Sequence, residues 1–160
     1  IGIKYFVVPL VDKSSINKTK QKKKLISMFK KEIIPLLKKS KSMVLFEMDY
    51  KPKLIIPFIK KFKSNRVGIN YDTGNSASLG YDLLQELKYF KYVKNIHIKD
   101  RKLFGTTVRL GEGNVDFKKF FKLLHSKNYK GNLILQTART KNNRHTLELK
   151  KNINFIKNYI

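Results

Sequence analysis

Hydrophobic residues along the chain recur with two different spacings, and the two alternate. Runs in which every second residue is apolar predict β-strands. The stretches between them carry apolar residues three or four positions apart and predict helices. The predicted strands are residues 3–10, 42–48, 66–72, 92–98 and 131–137. Because a helix is predicted after each strand, the chain is predicted to consist of five βα units.

The helices are predicted from the apolar positions that would face a core. The first covers residues 17–39, and Pro35 predicts a kink or a break near its end. The second has Pro52 near its first turn, the third covers residues 81–90, and the fourth is capped by Asp116. The inward positions, helix by helix, are Leu25, Phe29, Ile33 and Leu37; Leu54, Ile55, Phe58, Ile59 and Phe62; Leu83, Leu84, Leu87 and Phe90; Phe117, Phe120, Phe121 and Leu124; and Leu149, Ile153, Ile156 and Ile160.

Alternating strands and helices predict an α/β fold with a parallel sheet, either doubly wound or closed into a (β/α)₈ barrel. A doubly wound dinucleotide fold usually has a glycine-rich turn after its first strand, and here that turn reads VPLVDKSSIN. We therefore favour the barrel, which needs eight units and roughly 250 residues. With five units in 160 residues, and with Ile1 rather than Met at its start, the chain is expected to be one domain, residues 1–160, that lacks its N-terminal units.

The net charge is +25, from 36 Lys and Arg against 11 Asp and Glu, which would suit nucleic acid or an anionic membrane. Most of the lysines, however, lie on predicted helices, as in KTKQKKK, where they form solvated faces. We interpret them as a compositional bias, and nucleic acid is disfavoured as a partner. No apolar run approaches the ~18 residues of a membrane span, so no membrane partner is expected. The absence of cysteine fits a cytoplasmic location.

Four side chains that can bind a metal stand at the carboxyl ends of four successive predicted strands. They are Glu47, Asp72, His97 and Gln136. Parallel barrels build their sites at this end of the strands, and residues two apart share a face, so Asn70 would lie with Asp72 and Asn95 with His97. Each side chain also has an ordinary alternative, as a turn former, an interior histidine, a loop carboxylate or a structural amide. Four such residues facing one mouth favour a metal site.

The segments NYDTGN, HIKDR, LGEGNVDF and LQTAR resemble the C-terminal portion of the xylose isomerase-like TIM barrels. The resemblance is to the sugar phosphate isomerase/epimerase group, which includes L-ribulose-5-phosphate 3-epimerase and hexulose-6-phosphate isomerase-like proteins, and it covers nearly the whole chain as strands four to eight. It implies that Glu47, Asp72, His97 and Gln136 hold one divalent cation. Their oxygen and nitrogen atoms suit Mn²⁺, Mg²⁺, Co²⁺ or Zn²⁺. It also implies that Asn75 contacts the substrate.

The same resemblance implies an enzyme that isomerises or epimerises a sugar or sugar phosphate through an enediolate. Glu47 and Gln136 are the two catalytic positions, with Glu47 as the base and the metal polarising the carbonyl oxygen. The 3-epimerases of the group carry Glu where this chain has Gln136. An amide can bind a hard cation, but it cannot accept a proton at neutral pH. One remaining base favours aldose–ketose isomerisation over a two-base epimerisation.

Four further side chains are candidates near this mouth. Lys99 and Arg101 of HIKDR would bind a substrate phosphate or, with Asp100, buttress the loop. Glu112 would contact substrate or shape its Gly-Glu-Gly turn through an inward hydrogen bond. His125 and His145 fall on helical or loop surfaces and are not predicted ligands.

Two other functions fit parts of the sequence. The first is a phosphodiesterase resembling endonuclease IV, but its multinuclear zinc site is rich in histidine, and only one of the three histidines here stands at a strand end. The second is a non-catalytic sugar- or metal-binding barrel that has lost a catalytic carboxylate. Because an open barrel exposes two sheet edges, we also expect a need for the missing units or for a partner, and a homo-oligomer would provide one.

Overall fold

The computed structural model describes residues 2–140 and 143–160. Its strands are β1 (Tyr5–Leu10), β2 (Met43–Met48), β3 (Val67–Asp72), β4 (Val93–Ile98), β5 (Asp100–Arg101), β6 (Thr107–Val108) and β7 (Asn132–Leu135). Five of these described strands form a parallel sheet in the order β1-β2-β3-β4-β7, and β5 pairs with β6 in antiparallel fashion. The predicted α/β fold is confirmed, and the sheet is consistent with a partial barrel.

The helices are α1 (Thr19–Met28), α2 (Ile34–Ser40), α3 (Pro52–Lys60), α4 (Thr73–Ser78), α5 (Leu83–Glu86), α6 (Phe117–Ser126) and α7 (His145–Lys157). Short 3₁₀ turns span Asp12–Ser14 and Leu87–Tyr92, and a π turn spans Phe29–Ile33. Helical segments follow all five strands of the sheet, as predicted. Within residues 2–140 and 143–160, no helix has the length and apolar character that a membrane crossing requires.

The chain forms two compact units, residues 1–71 with 84–95 and residues 72–83 with 96–160. In the first unit, β1 lies parallel to β2 with Tyr5 opposite Met43, and β2 lies parallel to β3. Phe46 of β2 is fully buried, and its ring centroid lies 5.1, 5.9 and 5.3 Å from those of Phe29, Phe58 and Phe62. This face of β2 therefore packs under the π turn and α3.

The first long helix is interrupted one turn before Pro35. The backbone N–H of Ile34 bonds to the carbonyl of Phe29, five residues back, and the helix then continues to Ser40. Proline lacks an N–H and its ring crowds the carbonyl four residues earlier, which a widened turn accommodates. The predicted irregularity exists, but it lies on the N-terminal side of the proline.

The segment after β3 differs from the prediction. The short helix α4 follows β3 directly, and its sequence TGNSAS has no apolar periodicity from which it could be predicted. Leu84 of α5 was expected to face inward, but it is exposed. The buried residue of α5 is Glu86, whose carboxylate accepts hydrogen bonds from the hydroxyls of Tyr71 and Tyr89, both at 2.8 Å. A paired carboxylate therefore occupies the inward position.

In the second unit, α6 matches its prediction and α7 does not. Asp116 caps α6 by accepting a hydrogen bond from the backbone N–H of Lys119 at 2.9 Å, and the four predicted inward residues are buried. Leu149 and Ile153 of α7 are exposed, as is Ile160 beyond its C-terminal end, and of the predicted set only Ile156 is buried.

The buried face of α7 consists of Glu148, Asn152 and Ile156, one position away from the predicted stripe. The carboxylate of Glu148 forms an ion pair with Nε of Arg109 at 3.1 Å, and Nδ2 of Asn152 donates a hydrogen bond to Oγ1 of Thr137 at 3.0 Å. Polar residues tolerate burial when they are paired, and a pattern of apolar positions cannot anticipate those partners. Leu54 of α3 was also expected inward and is exposed.

Candidate metal centre

Asp72 ends β3, and its two carboxylate oxygens have different neighbours. One oxygen, Oδ1, accepts the backbone N–H of Asn75 at 2.8 Å and caps α4. The other, Oδ2, lies 4.0 Å from Nδ1 of His97 and 3.4 Å from Nζ of Lys99. The turn-forming role that the sequence offered for Asp72 is therefore confirmed for Oδ1, and Oδ2 is the oxygen of this buried carboxylate that lies near His97 and Lys99.

Glu47, Asp72 and His97 each offer one ligand atom, and these atoms all lie within 4.8 Å of one another. They come from the ends of β2, β3 and β4, as predicted. Two carboxylates and one imidazole are a donor set that divalent Mg²⁺, Mn²⁺ or Zn²⁺ accepts, so these three residues fit a metal ion. The triad could thus hold a metal ion.

Gln136 follows the end of β7. The backbone N–H of Gln136 donates to the carbonyl of Ile98 at 3.0 Å, and Gln136 is exposed. Its amide oxygen as the fourth ligand stays a prediction.

Glu47 is held by two buried asparagines. Nδ2 of Asn70 donates to Oε2 of Glu47 at 2.8 Å, and Nδ2 of Asn95 donates to Oδ1 of Asn70 at 2.6 Å. Asn70 therefore presents its NH₂ group to Glu47 and its oxygen to Asn95. This chain of two amides fixes the orientation of the Glu47 carboxylate. The strand periodicity had placed these amides on the inward face, but without assigning them this role.

Lys99 is anchored beside Asp72 by its own main chain and stem. Thr73 donates its hydroxyl to the carbonyl of Lys99 at 2.6 Å, and the backbone N–H of Lys99 donates to the same hydroxyl at 3.0 Å. The aliphatic stem of Lys99 covers Gly74, where an added Cβ would stand 2.8 Å from Cγ of the lysine. A glycine at this position lets Nζ approach Asp72.

Arg101 joins a loop to Asn75. Nε and Nη2 of Arg101 donate to the carbonyl of Gly105 at 3.0 and 2.9 Å, and Nη1 donates to Oδ1 of Asn75 at 2.9 Å. Of the two roles considered for Arg101, the structure shows the buttressing contacts. These contacts also fix the side chain of Asn75, the predicted substrate residue.

The Gly-Glu-Gly turn is organised by Asp100, which is fully buried. Oδ2 of Asp100 accepts the backbone N–H groups of Gly111 and Gly113, both at 2.9 Å, and Oδ1 accepts that of Val115 at 3.1 Å. A Cβ at Gly113 would stand 2.0 Å from Oδ1, so only glycine fits there. Glu112 is exposed, which corrects the expectation of an inward hydrogen bond from that side chain. The reason is that Asp100 already satisfies the turn.

Tyr50 lies two residues beyond β2. Burial, with a smaller effect from the carboxylate of Asp49, raises the pKa of Tyr50 to about 12. The phenol is therefore protonated at neutral pH, and it donates to the carbonyl of Ile16. His125 and His145 are exposed, as expected for surface histidines.

The family of the chain follows from its match to a family model. The model of the xylose isomerase-like TIM barrel matches residues 1–159. The chain belongs to this family. A search of the curated protein sequences gives no match.

Solved structures share the fold at low identity. A xylose isomerase domain protein from Planctomyces limnophilus is 17% identical. The match covers 96% of this chain and 59% of that one, with a TM-score of 0.81. The IOLI protein with a bound zinc atom is 19% identical, with 99% and 65% covered and a TM-score of 0.78. The E. coli 3-keto-D-glucoside 4-epimerase YcjR is 16% identical, with 97% and 64% covered and a TM-score of 0.70. The chain therefore spans 59–65% of the length of these three proteins.

Proposed function

We propose that the chain belongs to a metal-dependent isomerase or epimerase that acts on a sugar or sugar phosphate by proton abstraction. The observation that carries this proposal is the group of Glu47, Asp72 and His97, whose ligand atoms lie within 4.8 Å of one another. The likeness to a 3-keto-D-glucoside epimerase and to a zinc-binding protein of the same fold supports it. Gln136 is the proposed fourth ligand.

Glu47, Asp72 and His97 would hold the cation, and a bound divalent ion would supply polarisation of the substrate's carbonyl oxygen. Glu47 is the proposed base that removes the proton from the carbon next to that carbonyl. The hydrogen bond from Asn70 keeps the carboxylate of Glu47 in one orientation. A base held in one orientation is what proton transfer between neighbouring carbons requires.

The remaining candidate residues are proposed to bind the substrate. Asn75 would contact a substrate hydroxyl with its amide, which Arg101 orients at 2.9 Å. Lys99, whose Nζ lies 3.4 Å from Oδ2 of Asp72, would contact the substrate with its ammonium group. Glu112, exposed on its turn, would meet the more distant end of the substrate. The cytoplasmic location and the homo-oligomer expected from the sequence stay predictions.

The amide of Gln136 is compatible with two versions of the function. With an amide at this position, Glu47 is the one carboxylate proposed as a base, and a one-base transfer along one face of the substrate is an isomerisation. The same substitution favours the second candidate, a barrel that binds a metal or a sugar without catalysing exchange.

Solvent proton exchange tests the proposal. The protein is incubated with Mn²⁺ and a panel of pentulose and hexulose phosphates and their unphosphorylated sugars in D₂O, and deuterium at carbon is measured by NMR. We expect incorporation that requires the metal, disappears in Glu47→Gln and persists in the control Glu32→Gln, which alters an exposed carboxylate on the π turn. A folded protein that binds Mn²⁺ but exchanges no proton on any sugar would favour the non-catalytic candidate.

A further inference from the structure

A pocket of about 530 Å³ lies within the second unit. It is lined by Val108, Arg109, Glu112, Ala138, Arg139, Thr140, Arg144, Leu147, Glu148 and Lys151. The lining comes from three places in the chain: the segment that includes β6, the segment after β7, and the first two turns of α7. The volume is in the range of pockets that take small molecules, which is about 300–1,000 Å³.

The arginines of the chain are concentrated at this pocket. The sequence contains five arginines among its 36 basic residues, so lysine outnumbers arginine by 31 to 5. Among the described residues, three of the five arginines line this one pocket. The other two, Arg66 and Arg101, donate to main-chain carbonyls. A general bias toward lysine explains a basic surface, but it does not bring arginines together.

The chemistry of arginine indicates what the pocket would bind. A guanidinium group presents donors in a planar fork that matches the oxygens of phosphate, whereas lysine acts as a point charge. Of the two acidic residues in the lining, the buried Glu148 is already paired with Nε of Arg109 at 3.1 Å. That pair restrains Arg109 at the pocket wall. The rest of the lining carries three basic groups against Glu112, so its net charge is positive.

We propose that this pocket is an oxyanion site that takes the phosphate group of a small phosphorylated molecule, with Arg139 and Arg144 as its principal donors. Arg109 and Lys151 add positive charge. The segments that carry Arg109 and Arg139 lie beyond the carboxyl ends of β4 and β7. In barrels of this kind the loops at those ends shape the substrate pocket, so a phosphorylated sugar is the ligand that joins this site to the proposed function. Only that last step rests on the proposed function.

The test is phosphate binding by the metal-free protein, which is independent of catalysis. Calorimetric titrations with inorganic phosphate, a pentulose phosphate and the same sugar without phosphate are run in EDTA at constant ionic strength, because the charge of +25 attracts any anion. The variants are Arg139→Gln, Arg144→Gln and Arg139→Lys. Arg66→Gln is the matched control, since it removes the same charge from a residue that bonds to the carbonyl of Lys41.

We expect saturable binding of phosphate or the phosphorylated sugar at one site per chain, weakened about tenfold by either glutamine variant and unchanged in the control. Arg139→Lys should also bind more weakly, because it keeps the charge and loses the fork. Tighter binding of the sugar phosphate than of phosphate and of the free sugar would assign the pocket to a phosphorylated ligand; equal binding of phosphate and sugar phosphate would assign it to free phosphate. The inference is overturned by unsaturable binding, by equal loss in Arg66→Gln, or by full affinity in Arg139→Lys. Phosphate binding without proton exchange would reject the proposed function alone.

Discussion

Replacing Asn70 by leucine should lower both the stability of the protein and its affinity for a metal ion, and a matched control distinguishes the two effects. Asn70 is 1% exposed, donates to Glu47 at 2.8 Å and accepts from Asn95 at 2.6 Å. Leucine has a similar size and makes neither bond. Loss of a hydrogen bond to a charged group costs about 1.5–3 kcal/mol and loss of a neutral one about 0.5–1.5 kcal/mol, so the free energy of unfolding should fall by about 2–4.5 kcal/mol.

The same variant should weaken metal binding. The carboxylate of Glu47 would lose the contact that fixes its orientation, and removing a partner of this kind typically costs about 10–100-fold in metal affinity. The assays are urea unfolding monitored by circular dichroism and calorimetric titration with Mn²⁺. Asn152→Leu is the matched control, because it removes another buried amide, one that donates to Thr137 at 3.0 Å. The control should lose stability and keep its Mn²⁺ affinity. The reasoning is refuted if Asn70→Leu binds Mn²⁺ as tightly as the wild type, or if both variants lose affinity equally.

Three further predictions concern single residues. Gly113→Ala should destabilise the protein by about 2 kcal/mol or more in urea unfolding, because the new Cβ would overlap the carboxylate of Asp100; unchanged stability would contradict the close approach. Lys99→Met should raise Mn²⁺ affinity about three- to tenfold in titrations, because the ammonium 3.4 Å from Asp72 competes with a cation for the same oxygen; a lower affinity would contradict this. The phenol of Tyr50 should ionise near pH 12, so an absorbance titration of wild type minus Tyr50→Phe should show no phenolate from this residue near pH 10.

The elements that could be predicted from the sequence are those that bury apolar side chains. The strands that carry Glu47, Asp72 and His97 were predicted because apolar and polar residues alternate along them, and that alternation also placed each of the three side chains on the inward face of its strand. The cap at Asp116 was predicted from residue type alone, since aspartate before an apolar helical stripe satisfies the free backbone N–H groups.

The features that could not be predicted depend on polar groups that are buried with a distant partner. The face of α7 was misplaced by one position because Glu148 and Asn152 are buried against Arg109 and Thr137, far away in sequence. The sequence could not show that Asp100 holds the following turn, because its three partners are backbone N–H groups, which every residue except proline has. A signal was present nonetheless: two glycines in the following turn indicate close approach of the backbone to something.

The central claim is that Glu47, Asp72 and His97 hold one divalent cation, and Mn²⁺ binding tests it most directly. Calorimetric or EPR titration should give one Mn²⁺ per chain, lost or weakened at least about tenfold in Asp72→Asn and in His97→Gln. His125→Gln, which alters an exposed histidine on α6, should bind as the wild type does. One Mn²⁺ per chain with unchanged affinity in both site variants would contradict the claim and place the metal elsewhere.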